Sequence, residues 1–233
     1  MESPRLDLEP HQLDLRYERL RLRREEAEQR LLGSLAACGQ QVPIVVVAVA
    51  EEPGRFRVID GFRRLRALAR LGHDTVWATS WELTELDALL LSRGLRTASE
   101  TAIEQGWLVA ELSERFHLGG EEVARRLARS ASWVSRRLAL VQVLPESVQE
   151  EVRRGHIAPH AAMRHLVPLA RAKGGECAEI ATAVAAHRLT SRELGEFVRL
   201  VRRASRLDRP RLRKRSGNVE TVEQVLAQPH GQH

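Results

Sequence analysis

The sequence predicts an α+β fold, with a small N-terminal α/β domain followed by an all-helical domain. Three observations carry that prediction. A continuous β-branched run, Pro43–Val49, is followed by a turn, Glu51-Glu-Pro-Gly54, and by the alternating stretch Arg55–Ile59, which together read as a hairpin. Beyond Glu85 the apolar residues recur at helical spacing. The composition, 43% hydrophobic but only 4% aromatic, leaves the core to Leu, Val, Ala and Ile, which suit short packed helices.

Taken in chain order, residues 1–15 read as an N-terminal arm. Arg16–Arg30 mixes charge with Leu20, Leu22, Ala27 and Leu31 and reads as a surface helix running to about Ala37, stopped by Cys38-Gly39. The hairpin comes next. Asp60-Gly61 breaks its second strand, and Phe62–Leu71 places Leu65, Leu68, Ala69 and Leu71 at helical spacing before Gly72 ends it. Thr75–Trp81 is a third strand, so the α/β domain covers residues 16–84. Leu86–Leu91 and Ile103–Phe116 are helices of a second domain, 85–172, which continues through about Leu169. Gly174-Gly175 is a linker, and a helical pair (Glu176–His187 and Ser191–Ala204) makes a C-terminal segment, 173–207. Residues 208–233 form a basic tail opened by Arg209, Arg211, Arg213, Lys214 and Arg215.

Charge narrows the function class. Lys and Arg outnumber Asp and Glu by 37 to 31, a net charge of +6, and nearly all the cations are Arg. A guanidinium fork donates two parallel hydrogen bonds, so an Arg-rich surface suits phosphate, although a GC-rich genome would give the same bias. Cys38 and Cys177 stand apart, with no CxxC pair, which argues against a disulfide framework or zinc site and fits a reducing cytoplasm. The acidic start, Met1–Pro10, has no apolar core of a signal peptide, and the longest uncharged apolar stretch, Val42–Ala50, is too short for a bilayer. A cytoplasmic protein with no membrane partner is the expectation. His156, His160 and His165 lie near one helix without an evident carboxylate partner and read as solvated surface.

A helix-turn-helix stands at Glu121–Val143. Glu121–Ala128 is a short helix with Val123, Ala124 and Leu127 inward, Arg129-Ser-Ala131 the turn, and Ser132–Leu140 the second helix. Ala124 supplies the small residue where two such helices approach, Val134 the branched anchor, and Ser132 the cap. Ser130, Ser132, Trp133, Ser135 and Arg136 then project toward DNA, with Arg129 and Arg137 suited to phosphates or guanine edges. Ala128 stands where a turn glycine is common. A helical hairpin without DNA contact is the competing reading, and Trp133 fits a core position as well as an exposed one.

Gln40-Gln-Val-Pro-Ile-Val-Val46, then Arg57-Val-Ile-Asp-Gly-Phe-Arg-Arg-Leu-Arg-Ala67, resembles the N-terminal domain of ParB-type partition proteins. The second stretch is close to that family's G-E-R-R-x-R-A box. The helix-turn-helix, continuing into Leu144-Pro-Glu-Ser-Val-Gln-Glu-Glu-Val-Arg-Arg-Gly-His-Ile157, resembles the family's central domain, so the likeness spans roughly residues 20–170. It implies double-stranded DNA as partner, a homodimer, a nucleoid- or plasmid-associated location and, as protein partner, a ParA-type ATPase or another protein. It also implies CTP with Mg²⁺, Gly61, Arg63 and Arg64 touching triphosphate and Gln41 or its neighbours approaching the base. By themselves, a glycine ending a strand and Arg63, Arg64 and Arg66 at a helix start make an anion site, with a solvated Arg face as the alternative.

The sequence departs from the family where E-N-x-x-R is expected. It reads Ser92-Arg-Gly-Leu-Arg-Thr97, so Arg93-Gly94 replaces the Glu-Asn pair, and the box glutamate is Phe62. An arginine repels Mg²⁺ where a carboxylate would bind it. The expectation is phosphate binding through Arg63, Arg64, Arg66 and Arg96 or none at all, insensitive to Mg²⁺, with negligible turnover and no catalytic or metal-ligating residue. A CTP-hydrolysing clamp with an altered metal site is the enzymatic alternative. An accessory protein or transcriptional regulator of a mobile element is a third.

Overall fold

The computed structural model describes residues 5–23, 25–95, 100–172, 177–178, 180–182 and 190–207, with side chains of the last helix to residue 200. The expected tail at 208–233, the linker at Gly174-Gly175 and Arg96 lie outside the described residues. Two compact units are present: Met1–Glu104 with Glu111–Arg129, and Gln105–Ala110 with Ser130–His233.

The first unit is built on a five-stranded sheet: β1 (Leu6–Leu8), β2 (Leu13–Asp14), β3 (Ile44–Ala48), β4 (Phe56–Asp60) and β5 (Val76–Ser80). Their order across the sheet is β1-β5-β3-β4-β2. The hairpin is there, β3 antiparallel to β4 with a register irregularity at Val45/Val46, and β5 runs parallel to β3. The difference from the sequence reading is at the start. Residues read as an arm supply both edges: β1 pairs antiparallel with β5 and β2 parallel with β4. Strands of three and two residues carry too little alternation to be read as strands. The pairing also bends the sheet. Five strands laid flat separate their edges by ~19 Å, whereas the five residues from Leu8 to Leu13 reach at most ~18 Å fully extended. Three of the linking residues are coiled into a 3₁₀ turn, Pro10–Gln12, so the sheet must curl toward a half-barrel.

The surface helix expected over 16–37 is divided into a 3₁₀ turn, Arg16–Leu20, and α1 (Glu25–Cys38). Tyr17 and Leu20 of that turn are core residues, which a solvated helix would not bury. α2 (Phe62–Arg70) packs beside α1, and Leu65 and Leu68 join Ile44, Val46, Val58 and Val76 in the core. α3 (Glu85–Leu95) follows. α4 (Ala102–Glu114) opens on a reciprocal cap: Thr101 Oγ1 accepts the Glu104 N–H, and the Glu104 carboxylate accepts the Thr101 N–H. α5 (Gly120–Arg126) completes this unit.

The second unit takes the middle of α4, then α6 (Ala131–Gln142), α7 (Glu146–Arg153), α8 (Pro159–Ala161), a π turn at Ala162–Leu166, α9 (Val167–Ala172) and α10 (Ser191–Leu207). The π turn has a local cause. Pro168 has no N–H, so the backbone just before it is short of a donor and the helical ladder is rearranged there. Val134, Leu140, Val148, Ile157, Leu166, Leu194 and Phe197 form this unit's core.

Candidate functional site

In the first unit, Gly61 joins β4 to α2 with φ +103°. A Cβ there would stand 2.6 Å from Cγ2 of Ile44, which is fully buried, so both the backbone angle and the space demand glycine. The first turn of α2 has no side-chain cap and no acidic residue, so its N–H groups are not taken by a side-chain cap or carboxylate there. Arg63 is exposed and has no ion-pair partner among the described residues. Arg64 folds back instead, donating to the Pro43 carbonyl at 3.0 Å and to Asp60 at 3.4 Å. Its Nε is buried without a partner, and burial lowers its pKa. Arg66 points elsewhere, held by Glu18 at 2.5 Å and by Glu28.

The three arginines expected at one point therefore divide into one open cation, one at the rim and one ion-paired within the fold. Spacing could not show this, because Glu18 and Glu28 reach Arg66 through the packing of distant segments. Phe62, at the box glutamate's position, is buried. Gln41 is exposed and donates to the Cys38 carbonyl at 2.5 Å, while Gln40 pairs with both backbone groups of Trp77, at 2.9 and 2.7 Å. Arg93 is bound to Glu100 at 2.8 Å, and the same carboxylate accepts Arg21 at 3.1 Å.

Of the helix-turn-helix pattern, α5 belongs to the first unit and α6 to the second. α5 ends in paired backbone bonds, Arg129 N–H to the Ala124 carbonyl at 2.8 Å and Ala128 N–H to the Arg125 carbonyl at 3.1 Å. Ala128 at the head of this motif has φ +51°. The position is thus left-handed as a turn glycine would be, and alanine accepts the conformation at a cost of ~1–2 kcal/mol. α6 begins one residue earlier than the sequence reading, and its cap is Ser130, not Ser132: the Ser130 hydroxyl accepts the Trp133 N–H at 3.2 Å. The cap rule demands the residue just outside the helix, and Ser132 lies within the first turn.

On α6, Ser132, Ser135 and Arg136 are exposed at i, i+3 and i+4, one face of the helix, while Val134, Ala139 and Leu140 are buried. Arg129 and Ser130 are exposed ahead of it. Trp133 is half-buried beneath the guanidinium of Arg137, 5.1 Å from its ring centre. Arg137 is also half-buried, donating to Gln105 Oε1 at 2.8 Å and to Met163 Sδ at 3.2 Å. His156, read as lacking a carboxylate partner, has Glu151 at 2.8 Å, because the chain reverses after α7 and returns over its last turn.

One group in the first unit gave no signal in sequence. Arg57, almost fully buried, is held by Asp14 at 2.8 Å and Glu85 at 2.7 Å. Glu85 also accepts Tyr17 Oη and, at 3.0 Å, Arg115. Burial works to raise the Glu85 pKa, but the hydrogen bonds from Arg57, Tyr17 and Arg115 outweigh it and hold the carboxyl below its ordinary range. Its members come from five segments that only folding brings together.

Among known proteins, the ParB N-terminal domain family model matches residues 6–92 and the ParB HTH domain model residues 99–203. The chain is 33% identical over 147 residues to the nucleoid occlusion protein of Bacillus pumilus, covering 62% of this chain and 50% of that protein. It is 28% identical over 185 residues to the probable chromosome-partitioning protein ParB of Coxiella burnetii, covering 78% and 61%. With the chromosome-partitioning protein ParB of Caulobacter vibrioides it shares 30% over 155 residues, covering 64% and 51%. The chain spans about half the length of the relatives it matches.

Proposed function

Because the chain belongs to the ParB family, carrying that family's N-terminal and helix-turn-helix domains, we propose that it is a sequence-specific double-stranded-DNA-binding protein of the partition and nucleoid-occlusion type. The observation that carries this reading is the capped, exposed face of α6, with Ser132, Ser135 and Arg136 on one side of a helix that the turn at Ala128 introduces. Two short hydroxyls and one guanidinium on one face suit the edges of bases in a major groove, and Arg129 and Ser130 ahead of them suit phosphate. The working form is a homodimer associated with nucleoid or plasmid DNA. A ParA-type ATPase is the protein partner to test first.

The cradle at Gly61 is assigned to phosphate, with Arg63 as its open cation, Arg64 at its rim and Gln41 on the adjoining surface for a base. Phosphate fits these donors. The magnesium that the resemblance implies does not: Arg93, which has no lone pair to offer a cation, stands at the position of the metal carboxylate, and the Glu100 carboxylate beside it is shared between Arg93 and Arg21. A nucleotide is accordingly held here by guanidinium and backbone donors, and no metal-dependent hydrolysis is assigned to the chain.

Selection of bound fragments from the source genome tests the DNA reading. One fragment class should be enriched, and Arg136→Ala should weaken binding to it by ~1–3 kcal/mol while affecting random duplex less. Equal loss on both would make Arg136 a phosphate contact, and the absence of any enriched class would remove the reading.

A further inference from the structure

Arg137 follows Arg136 on α6 but faces inward. Its Nε–H and one terminal N–H reach Gln105 on α4 and Met163 on the π turn, and its plane lies over Trp133. The backbone at the same residue is in close contact too. A Cβ on Gly106 would stand 2.8 Å from the Arg137 carbonyl oxygen and 2.9 Å from Cγ1 of Val141, so α4 meets α6 there with no side chain between them. A guanidinium is planar, with donors in fixed directions. Anchoring it on both α4 and the π turn therefore fixes the rotation of α6 about its own axis as well as its depth. Rotation is what decides whether Ser132, Ser135 and Arg136 meet the same base edges each time.

We propose that Arg137 is a positioning residue for DNA recognition: clamped by Gln105, Met163 and Trp133, it sets the orientation of the exposed face of α6 and makes no phosphate contact itself. The proposal rests on the DNA-binding reading of α6. The two roles differ in salt dependence, because each phosphate contact adds ~0.9 to the slope of log affinity against log salt, whereas a positioning residue adds nothing.

The experiment is a set of anisotropy titrations of the full chain, at several salt concentrations, on the enriched fragment and on random duplex. Wild type, Arg137→Ala, Arg137→Lys and Gln105→Ala are compared, with melting curves as a control for folding. Arg137→Ala should lose about tenfold on the enriched fragment, the scale of one misplaced base contact, and much less on random DNA, with the salt slope unchanged. Gln105→Ala, which removes no charge, should lose preference in the same direction. The double variant should be no worse than Arg137→Ala, since both break one clamp. Lysine should not rescue, because it keeps the charge but lacks the fork.

A slope lowered by ~0.9 with preference intact, and restored by lysine, would make Arg137 a phosphate contact and overturn the proposal alone. If Arg137→Ala does not fold, Gln105→Ala decides: unchanged preference overturns the proposal. A wild-type chain that prefers no fragment would overturn the DNA reading and this inference with it.

Discussion

At Gly61 the chain must turn from β4 into α2 while passing within van der Waals distance of Ile44. Gly61→Ala meets both a φ of +103° and a contact at 2.6 Å with a fully buried side chain. Conformational strain of ~1–2 kcal/mol and an overpacking cost of ~1–3 kcal/mol together predict a loss of roughly 2–5 kcal/mol. Gly54→Ala is the internal comparison, with φ +84° but open space around it, and should lose only ~1–2 kcal/mol. Urea denaturation of both variants checks the difference; equal losses would show that Ile44 yields without cost. Ala128 is the opposite case. It already adopts φ +51°, so Ala128→Gly should relieve that strain and stabilise the turn by up to ~1 kcal/mol after the entropy of a freer unfolded chain is deducted. A raised melting temperature supports this, and a lowered one would mean that the alanine methyl makes a contact worth more than the strain.

Between elements, the Asp14–Arg57–Glu85 group holds β2, β4 and the start of α3 together, with Tyr17 and Arg115 added at Glu85. Removing one member of a buried ion group strands the others, so Glu85→Gln should cost about 3 kcal/mol at neutral pH. Its pH dependence has a definite sign. The Glu85 carboxyl is held below its ordinary range in the folded chain, so the unfolded chain takes up the proton first as pH falls. The stability it contributes is full above an unfolded pKa of about 4.3 and is lost as pH drops through the lower folded value. Denaturation midpoints of wild type and Glu85→Gln should therefore converge below that pH. A constant gap down to pH 3 would show that hydrogen bonding rather than charge carries the group.

For the molecule as a whole, the proposed affinity for DNA would divide into a part that reads sequence and a part that responds to salt. The exposed face of α6 is assigned to the first. The run Arg209, Arg211, Arg213, Lys214 and Arg215, five cations in seven positions of the sequence, is assigned to the second. Deletion from Arg209 onward should flatten the salt dependence of binding without changing the enriched fragment. An unchanged slope would leave the run with no part in binding, and a changed fragment would give it a part in recognition.

Much of this was legible in the sequence because its causes are local. A β-branched run followed by a turn makes a hairpin wherever it occurs, so β3, β4, α2 and β5 could be read from their own residues, as could the helix-turn-helix from its small residue, branched anchor and neighbouring serines. The glycine at position 61 was legible for the same reason, since a strand cannot pass directly into a helix there without a left-handed residue. The remainder depended on partners far along the chain. Leu6–Leu8 and Leu13–Asp14 are strands because β5 and β4 present unpaired edges to them, not because of their own propensity. Arg64, Arg66 and Arg137 look alike in sequence as cations on helices, and the tertiary structure gives them different partners. Asp60, Glu18, Glu28, Gln105 and Met163 reach them in three dimensions, and a guanidinium held on a carboxylate or an amide no longer behaves as an open charge. The sequence by itself determined which residues could donate to phosphate or to bases; only packing decided which of those donors were left over to do so, because a hydrogen bond satisfied inside the fold is no longer available outside it.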